Sequence, residues 1–218
     1  AGVTSDQISQ IQLSAASVAE QVVDEDHRDF LIPCRPESIS AGDSACARQF
    51  LGETARLLYR RPLDEARLTE LVDIASYATE QTEDFYDGLA LAIEAILLSP
   101  EVIFIVDQTE PDPNRPGEQR LDDYSLAARL SFFLWNAPPD ANLLLAAENG
   151  ELSNPEGLAR AVDRLIASSR LEAGMRAFFD DMLGFDDFNS LAKDPMVYPM
   201  VTGATLADAR EQTLRTII

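Results

Sequence analysis

Few side chains in this sequence are of types that do chemistry by themselves. Cys34 and Cys46 are its only cysteines, twelve residues apart in a turn-rich stretch with Pro33, Pro36 and Gly42. Zinc takes about four ligands, and this pair has no histidine beside it. Neither C-x-x-C nor C-x-x-C-H occurs, so neither a dithiol redox motif nor a haem attachment site is present. In an exported chain the pair reads as a disulfide, worth about 3 kcal/mol for a loop of this size. In a cytosolic chain it reads as two inert buried thiols. The expectation is the disulfide.

His27 is the only histidine, set in Asp24-Glu25-Asp26-His27-Arg28-Asp29. A Ser-His-Asp triad would have to be built around it, yet no G-x-S-x-G elbow accompanies it. It reads as a solvated histidine in a charged connector. Lys193, the only lysine, is the one candidate for Schiff-base chemistry, and its Lys-Asp-Pro context reads as an exposed turn. Asp180, Asp181, Asp186 and Asp187 crowd around Gly184, where carboxylates could hold calcium or form an acid/base pair. Without the D-x-[DN]-x-[DN]-G order, a solvated acidic face is the better reading.

The four methionines offer thioethers of the kind that ligate haem iron. Met175 and Met182 fall on the apolar face of an expected helix, where methionine fills core space. Met196 and Met200, in the irregular Asp194-Pro-Met-Val-Tyr-Pro-Met segment, remain as weak cofactor candidates. Arg129 stands beside Leu130 and Phe133 and is expected to be partly buried. Its guanidinium would then need Asp122, Asp123 or an acid from elsewhere, a structural ion pair ahead of a substrate clamp. Trp135 reads as a core or inter-module plug.

The elements that must position these residues are helical. Apolar residues recur at three- and four-residue spacing, and period-two alternation is nearly absent. The expected helices run Ser5 to Asp24, Asp43 to Arg60, from Asp64 through Ala78, Asp84 to Leu98, from Asp122 to Ala137, Asp140 to Glu148, from Asn154 through Ile166, from Ser169 through Met182, and Ala204 to Ile218. Expected core faces include Leu126, Ala127, Leu130, Phe133 and Leu134 on one helix, and Leu171, Met175, Phe178, Phe179 and Met182 on another. Residues 107–120 (DQTEPDPNRPGEQR) hold three prolines and one glycine and read as a linker. The fold class is all-α: two consecutive helical modules, about seven to nine helices, no substantial sheet. The segments are 1–43, an N-terminal helix and connector; 44–107, a first module; 108–120, a linker; and 121–218, a second module whose C-terminal end reads as incomplete.

The 218 residues are 46% hydrophobic, enough for a packed core. Thirty-eight acids against 17 Lys and Arg give a formal charge of -21. A nucleic-acid phosphate backbone would be repelled. No apolar run approaches the roughly 20 residues that cross a bilayer. The start at Ala1-Gly2-Val3 is what removal of a signal peptide leaves, and any other trimming of a longer chain would look the same. Helix 204–218 stops without a capping residue, so its apolar stripe is expected to lie against another polypeptide segment or chain.

Three stretches resemble a known family. Cys46-Ala-Arg, Leu58-Tyr-Arg-Arg-Pro-Leu63 and 85–104 (FYDGLALAIEAILLSPEVIF) are similar to the shorter of two helical modules in planctomycete-type cytochrome-associated proteins of unknown function. The second module resembles 120–135 (RLDDYSLAARLSFFLW) and continues through Phe178-Phe179, Leu183-Gly184 and Lys193-Asp194-Pro195 to Tyr198-Pro199. The resemblance implies an exported protein, in the periplasm or on the cell surface. It also implies c-type haem on a continuation or a partner chain, with none bound by this chain alone. It transfers no catalytic residue. The function it implies is a helical, non-haem scaffold of a redox protein, and any enzyme activity would belong to a cytochrome-linked oxidoreductase. A haem-free cell-surface interaction module and a carboxylate-dependent hydrolase are the alternatives.

Overall fold

A computed structural model of the chain describes residues 4–185, 187, 191, 193, 194 and 196–218. The chain divides into two compact units, residues 1–108 and 109–218. Among the described residues there are eleven α-helices, two of them a single turn long, and one two-stranded antiparallel sheet. The all-α reading therefore stands, apart from that small hairpin.

The first unit contains α1 (Ser5–Val23), α2 (Arg28–Leu31), α3 (Ser44–Leu58), α4 (Glu65–Thr82), α5 (Phe85–Leu97) and α6 (Pro100–Ile103). Side chains at the helix starts set the boundaries: Asp43, Asp64 and Asp84 each accept first-turn amides of α3, α4 and α5. Thr4 and Gln7 close a capping box on α1. Helix α5 is apolar nearly all round and is the unit's centre, burying Phe85, Leu89, Ile93 and Ile96 among others. Both α1 and α4 pack on it. The segment 1–43 is thus an integral part of this unit, because α1 buries Ala15, Ala19 and Val23.

The α4–α5 contact depends on Gly88. A β-carbon at this position would come within 2.1 Å of Thr79 Oγ1 and 2.4 Å of the Ala75 carbonyl oxygen. Only glycine lets two helix backbones approach this closely without displacing one of them.

The second unit opens with β1 (Thr109–Pro111) and β2 (Gln119–Leu121), paired with Thr109 opposite Leu121 and Pro111 opposite Gln119. The expected linker is therefore largely a hairpin. Its strands are three residues long and carry no apolar alternation, so periodicity could not reveal them. Glu110 and Arg120 face each other across it as an ion pair.

Five helices follow: α7 (Asp123–Trp135), α8 (Ala141–Glu148), α9 (Pro155–Ile166), α10 (Arg170–Leu183) and α11 (Gly203–Ile217), with a 3-10 turn over Glu151–Ser153 before α9. Asp122, Asp140 and Asn154 cap α7, α8 and α9, and Pro155 takes the first position of α9. The core gathers Ala127, Trp135, Leu143, Leu152 and Leu165.

Three expectations change here. Ser169, whose place before the α10 run reads in the sequence as a cap, makes no side-chain cap; the neighbouring Ser168 hydroxyl oxygen accepts the Arg170 amide instead. On α7 the inner face is Ala127, Ala128, Ser131 and Trp135, so Phe133 stands 73% exposed. On α10 Gly174 is the residue buried outright, while Phe178 and Met182 of the expected core face are 50% and 57% exposed. Gly174 and the small residues of α7 set this rotation. A β-carbon on Gly174 would meet the Leu134 carbonyl oxygen at 2.1 Å, so α10 crosses α7 backbone to backbone.

Candidate functional site

Asp43 holds the start of α3 by accepting the Ala45 and Cys46 amides, which fixes Cys46 in the first turn. Cys34, in the connector after α2, is bonded to it. Both sulfurs are consumed, and no free cysteine is present among the described residues. Covalent attachment of haem c uses two free thiols beside a histidine. This chain's cysteines do not fit that group.

His27 is also engaged. Its Nδ1 lies 2.7 Å from Asp24 Oδ1, which accepts the amides of Asp26 and His27 as well. The His27 side chain and its backbone amide, in that order, hold the Asp24 carboxyl below its usual value. This is a cap on the α1–α2 corner, with a carboxylate rather than a nucleophilic hydroxyl on the imidazole.

One member of the acidic cluster is held by an arginine. Asp180 takes the Arg210 guanidinium, at 2.6 Å from Nε to Oδ1, and so joins α10 to α11. Arg176 forks onto Glu211 at 2.9 and 3.3 Å and also reaches Glu172. Asp181 and Asp187 are exposed. Asp186 lies outside the described residues. Among the described residues no group of three or more His, Cys, Asp or Glu is placed to hold a metal ion. Lys193 Nζ sits 5.8 Å from the centre of the Tyr198 ring, an exposed cation–π contact.

Arg129, expected to be partly buried, is exposed on α7. The cause is the same rotation that exposes Phe133: the face turned inward is the one bearing Ala127, Ala128 and Ser131. Among the described residues the buried charges are Arg60, which the sequence reading did not single out, and Asp123, named there only as a partner for Arg129. Asp123, in the first turn of α7, accepts the amides of Leu152 and Ser153, both at 3.1 Å, and the Ser153 hydroxyl. Arg60, at φ +60° after α3, donates to the carbonyl oxygens of Val102 and Phe104 at 3.2 and 2.8 Å, and to that of Glu101. It thereby satisfies the end of α6. Burial, with the adjacent Arg61 charge, lowers its proton affinity. The Leu-Tyr-Arg-Arg-Pro string marks the end of α3 and gave no local sign of this role, because the carbonyls that Arg60 meets belong to the end of α6.

Trp135 is a core plug of the second unit. It is 3% exposed, and its Nε1 donates to the Leu165 carbonyl oxygen at 2.9 Å. The guanidiniums of Arg164 and Arg170 lie 5.7 and 5.1 Å from its ring centre. Arg164 also forks onto Asp140 at 2.7 and 2.9 Å. The interior and near-surface charges described so far are spent on joining elements to one another.

Apolar surface is what remains available. In the first unit an open groove of about 620 Å³ is lined by Ile11, Ala15, Val18, Leu97, Ile103 and Phe104. In the second unit α10 turns Phe178 and Met182, four residues apart, outward on one face. Further along, Met196, Val197, Tyr198 and Met200 are all exposed. A contiguous exposed apolar surface is characteristic of interaction sites rather than of solvated faces. Sequence periodicity had assigned Phe178 and Met182 to the core; it identifies an amphipathic stripe but not the body that covers it.

Residues 46–107 match the PSD5 family model and residues 121–218 the PSD4 family model, described as proteins of unknown function (DUF1595 and DUF1592). The chain thus carries two such domains in succession. No curated protein and no solved structure matches it.

Proposed function

We propose that these two units are the haem-free helical part of an exported, c-type-cytochrome-associated redox protein. The second unit docks the haem-bearing or catalytic part, carried on a continuation of the polypeptide or on a partner chain. The observation that carries this reading is the outward face of α10, where Phe178 and Met182 occupy positions patterned as core and are bare. With about half of each side chain open, burial against a partner would recover about 1–1.5 kcal/mol each. Ile217, in the last turn of α11, is exposed too.

Charge sets a condition on the partner. A surface at -21 attracts a basic protein and accelerates its encounter. The Cys34–Cys46 bond is compatible with an oxidising compartment, and among the described residues no helix is long and apolar enough to cross a membrane. The resemblance to cytochrome-associated proteins supplies the haem; the residues of this chain do not. A carboxylate-dependent hydrolase is less well supported, because Asp180, Glu172 and Glu211 are each held by an arginine.

The test is the absorption spectrum of the complete gene product purified natively from its own source, before and after substitution of Phe178 and Met182 by aspartate. A Soret band that copurifies with this chain is the expected result; where the haem is on a partner chain, the band is lost from the doubly substituted protein, and where it is on a continuation, the band stays and the substituted protein becomes more susceptible to proteolysis between the two parts. A featureless visible region in the intact protein refutes the haem association and leaves an interaction module of the cell surface.

A further inference from the structure

The two most exposed methionines of the chain are held in a built piece of backbone. Asp194 Oδ1 accepts the Met196 amide at 2.8 Å, and the Asp194 carbonyl oxygen accepts the amides of Val197 and Tyr198 at 3.1 and 2.8 Å. The Tyr198 carbonyl oxygen takes the Val201 amide at 3.1 Å, and that of Met200 takes the Thr205 hydroxyl at 2.8 Å. The last bond ties these turns to the first turn of α11. With the backbone committed in this way, the side chains of Met196 and Met200 stand 91% and 81% exposed.

Exposure alone makes a thioether accessible; here the sulfur inventory makes it the first to react. Thiolates outrun thioethers as reductants of peroxide, but Cys34 and Cys46 are bonded to each other. Trp135 is buried. Met175 is half-buried on α10. Met182, on α10, is 57% exposed, less than either of the other two. Peroxide arriving from solvent therefore finds Met196 and Met200 the most open of the soft side chains.

We propose that Met196 and Met200 form a site of S-oxidation by peroxide that converts an apolar surface of the second unit into a polar one. In each step the sulfur lone pair attacks one oxygen of hydrogen peroxide. A sulfur–oxygen bond forms, the oxygen–oxygen bond breaks, and the second oxygen leaves with both hydrogens as water. Sulfur loses two electrons and the peroxide gains them. The sulfoxide oxygen is a strong hydrogen-bond acceptor where a thioether is nearly none, so the surface around Tyr198 loses its apolar character. If this surface belongs to the docking face proposed above, oxidation also weakens docking; that consequence rests on the earlier reading, and the oxidation does not.

The experiment treats the folded protein with graded hydrogen peroxide and reads each methionine by peptide mass, at about 16 Da per oxygen gained. Met196 and Met200 are expected to oxidise about tenfold faster than Met175, with Met182 between them. Retention on a hydrophobic-interaction column falls in parallel, while helical circular dichroism is unchanged. A variant with both Met196→Leu and Met200→Leu keeps the apolar surface, cannot be oxidised there, and loses much less retention after peroxide, the remainder coming from Met182. Equal oxidation rates at Met175 and Met196 overturn the proposal. So does an equal loss of retention in the double-leucine variant. Neither readout involves a partner, so the docking reading stands or falls separately on the haem spectrum.

Discussion

Gly174 lies so close to Leu134 that a β-carbon added to it would stand 2.1 Å from the Leu134 carbonyl oxygen and 2.8 Å from the Trp135 Cα. That crossing places α10 on α7 and thereby decides which face of α10 meets solvent. Gly174→Ala forces the two backbones apart or leaves α10 undocked, and the expected cost is about 2–3 kcal/mol. Trp135, the only tryptophan, belongs to the core of this unit, so the urea midpoint of its fluorescence reads the loss directly. An unchanged midpoint would show that the crossing has slack.

Asp123 fastens the 3-10 turn at Leu152 and Ser153 to the first turn of α7 through three donors. Removing the carboxylate leaves two amides and a hydroxyl without acceptors, so Asp123→Ala is expected to cost about 3 kcal/mol. Ser153→Ala removes one donor and costs about 1 kcal/mol. Asp123→Asn turns an amide nitrogen toward at least one donor and behaves closer to alanine than to aspartate. The Trp135 transition ranks the three variants.

Asp140 gives a signed pH dependence. Burial is the largest influence and raises its pKa, but the Arg164 fork, the Leu143 amide and the nearby Arg164 and Arg170 charges together outweigh it. The net result is a value below the ordinary 3.8. A carboxyl more acidic in the folded state stabilises fully above its unfolded value and loses that contribution as pH falls through the lower folded one. The stability difference between the native protein and Asp140→Asn, followed by the urea midpoint, should therefore be flat near neutrality and shrink on acidification below about pH 4. A difference that grows below that pH would contradict the assignment.

Both ends of the Cys34–Cys46 bond lie in the first unit. Replacing both residues by serine is expected to lower that unit's stability by about 3 kcal/mol and to leave the Trp135 transition in place. Intact mass without reductant should fall about 2 Da below that of the reduced chain. Amide exchange confined to α1–α6 would report the destabilisation; faster exchange throughout the second unit would show that the bond acts more widely.

The substitution to watch beside these is Gly88→Ala, which meets Thr79 and Ala75 of α4 at the centre of the first unit. A destabilisation of about 2–3 kcal/mol is expected there too, read by circular dichroism as a transition separate from that of Trp135.

The sequence by itself determined where the helices begin, because capping is local. Asp43, Asp64, Asp84, Asp122, Asp140 and Asn154 each bond amides two or three residues ahead, and each was recognisable from its position before an apolar periodic run. The pairing of Cys34 with Cys46 was equally accessible, there being no other cysteine. The tertiary structure decided which side of each helix is covered. Phe133, Phe178 and Met182 belong to stripes that look like core, yet α7 and α10 meet through Gly174 and small residues and turn those large side chains to water. Arg129 goes out with them, while Arg60 and Asp123 go in to meet a carbonyl 44 residues away and an amide 29 residues away in the chain. An amphipathic pattern records that a face wants a partner. Whether that partner is the protein's own core or another surface depends on backbone approach distances that no local pattern encodes.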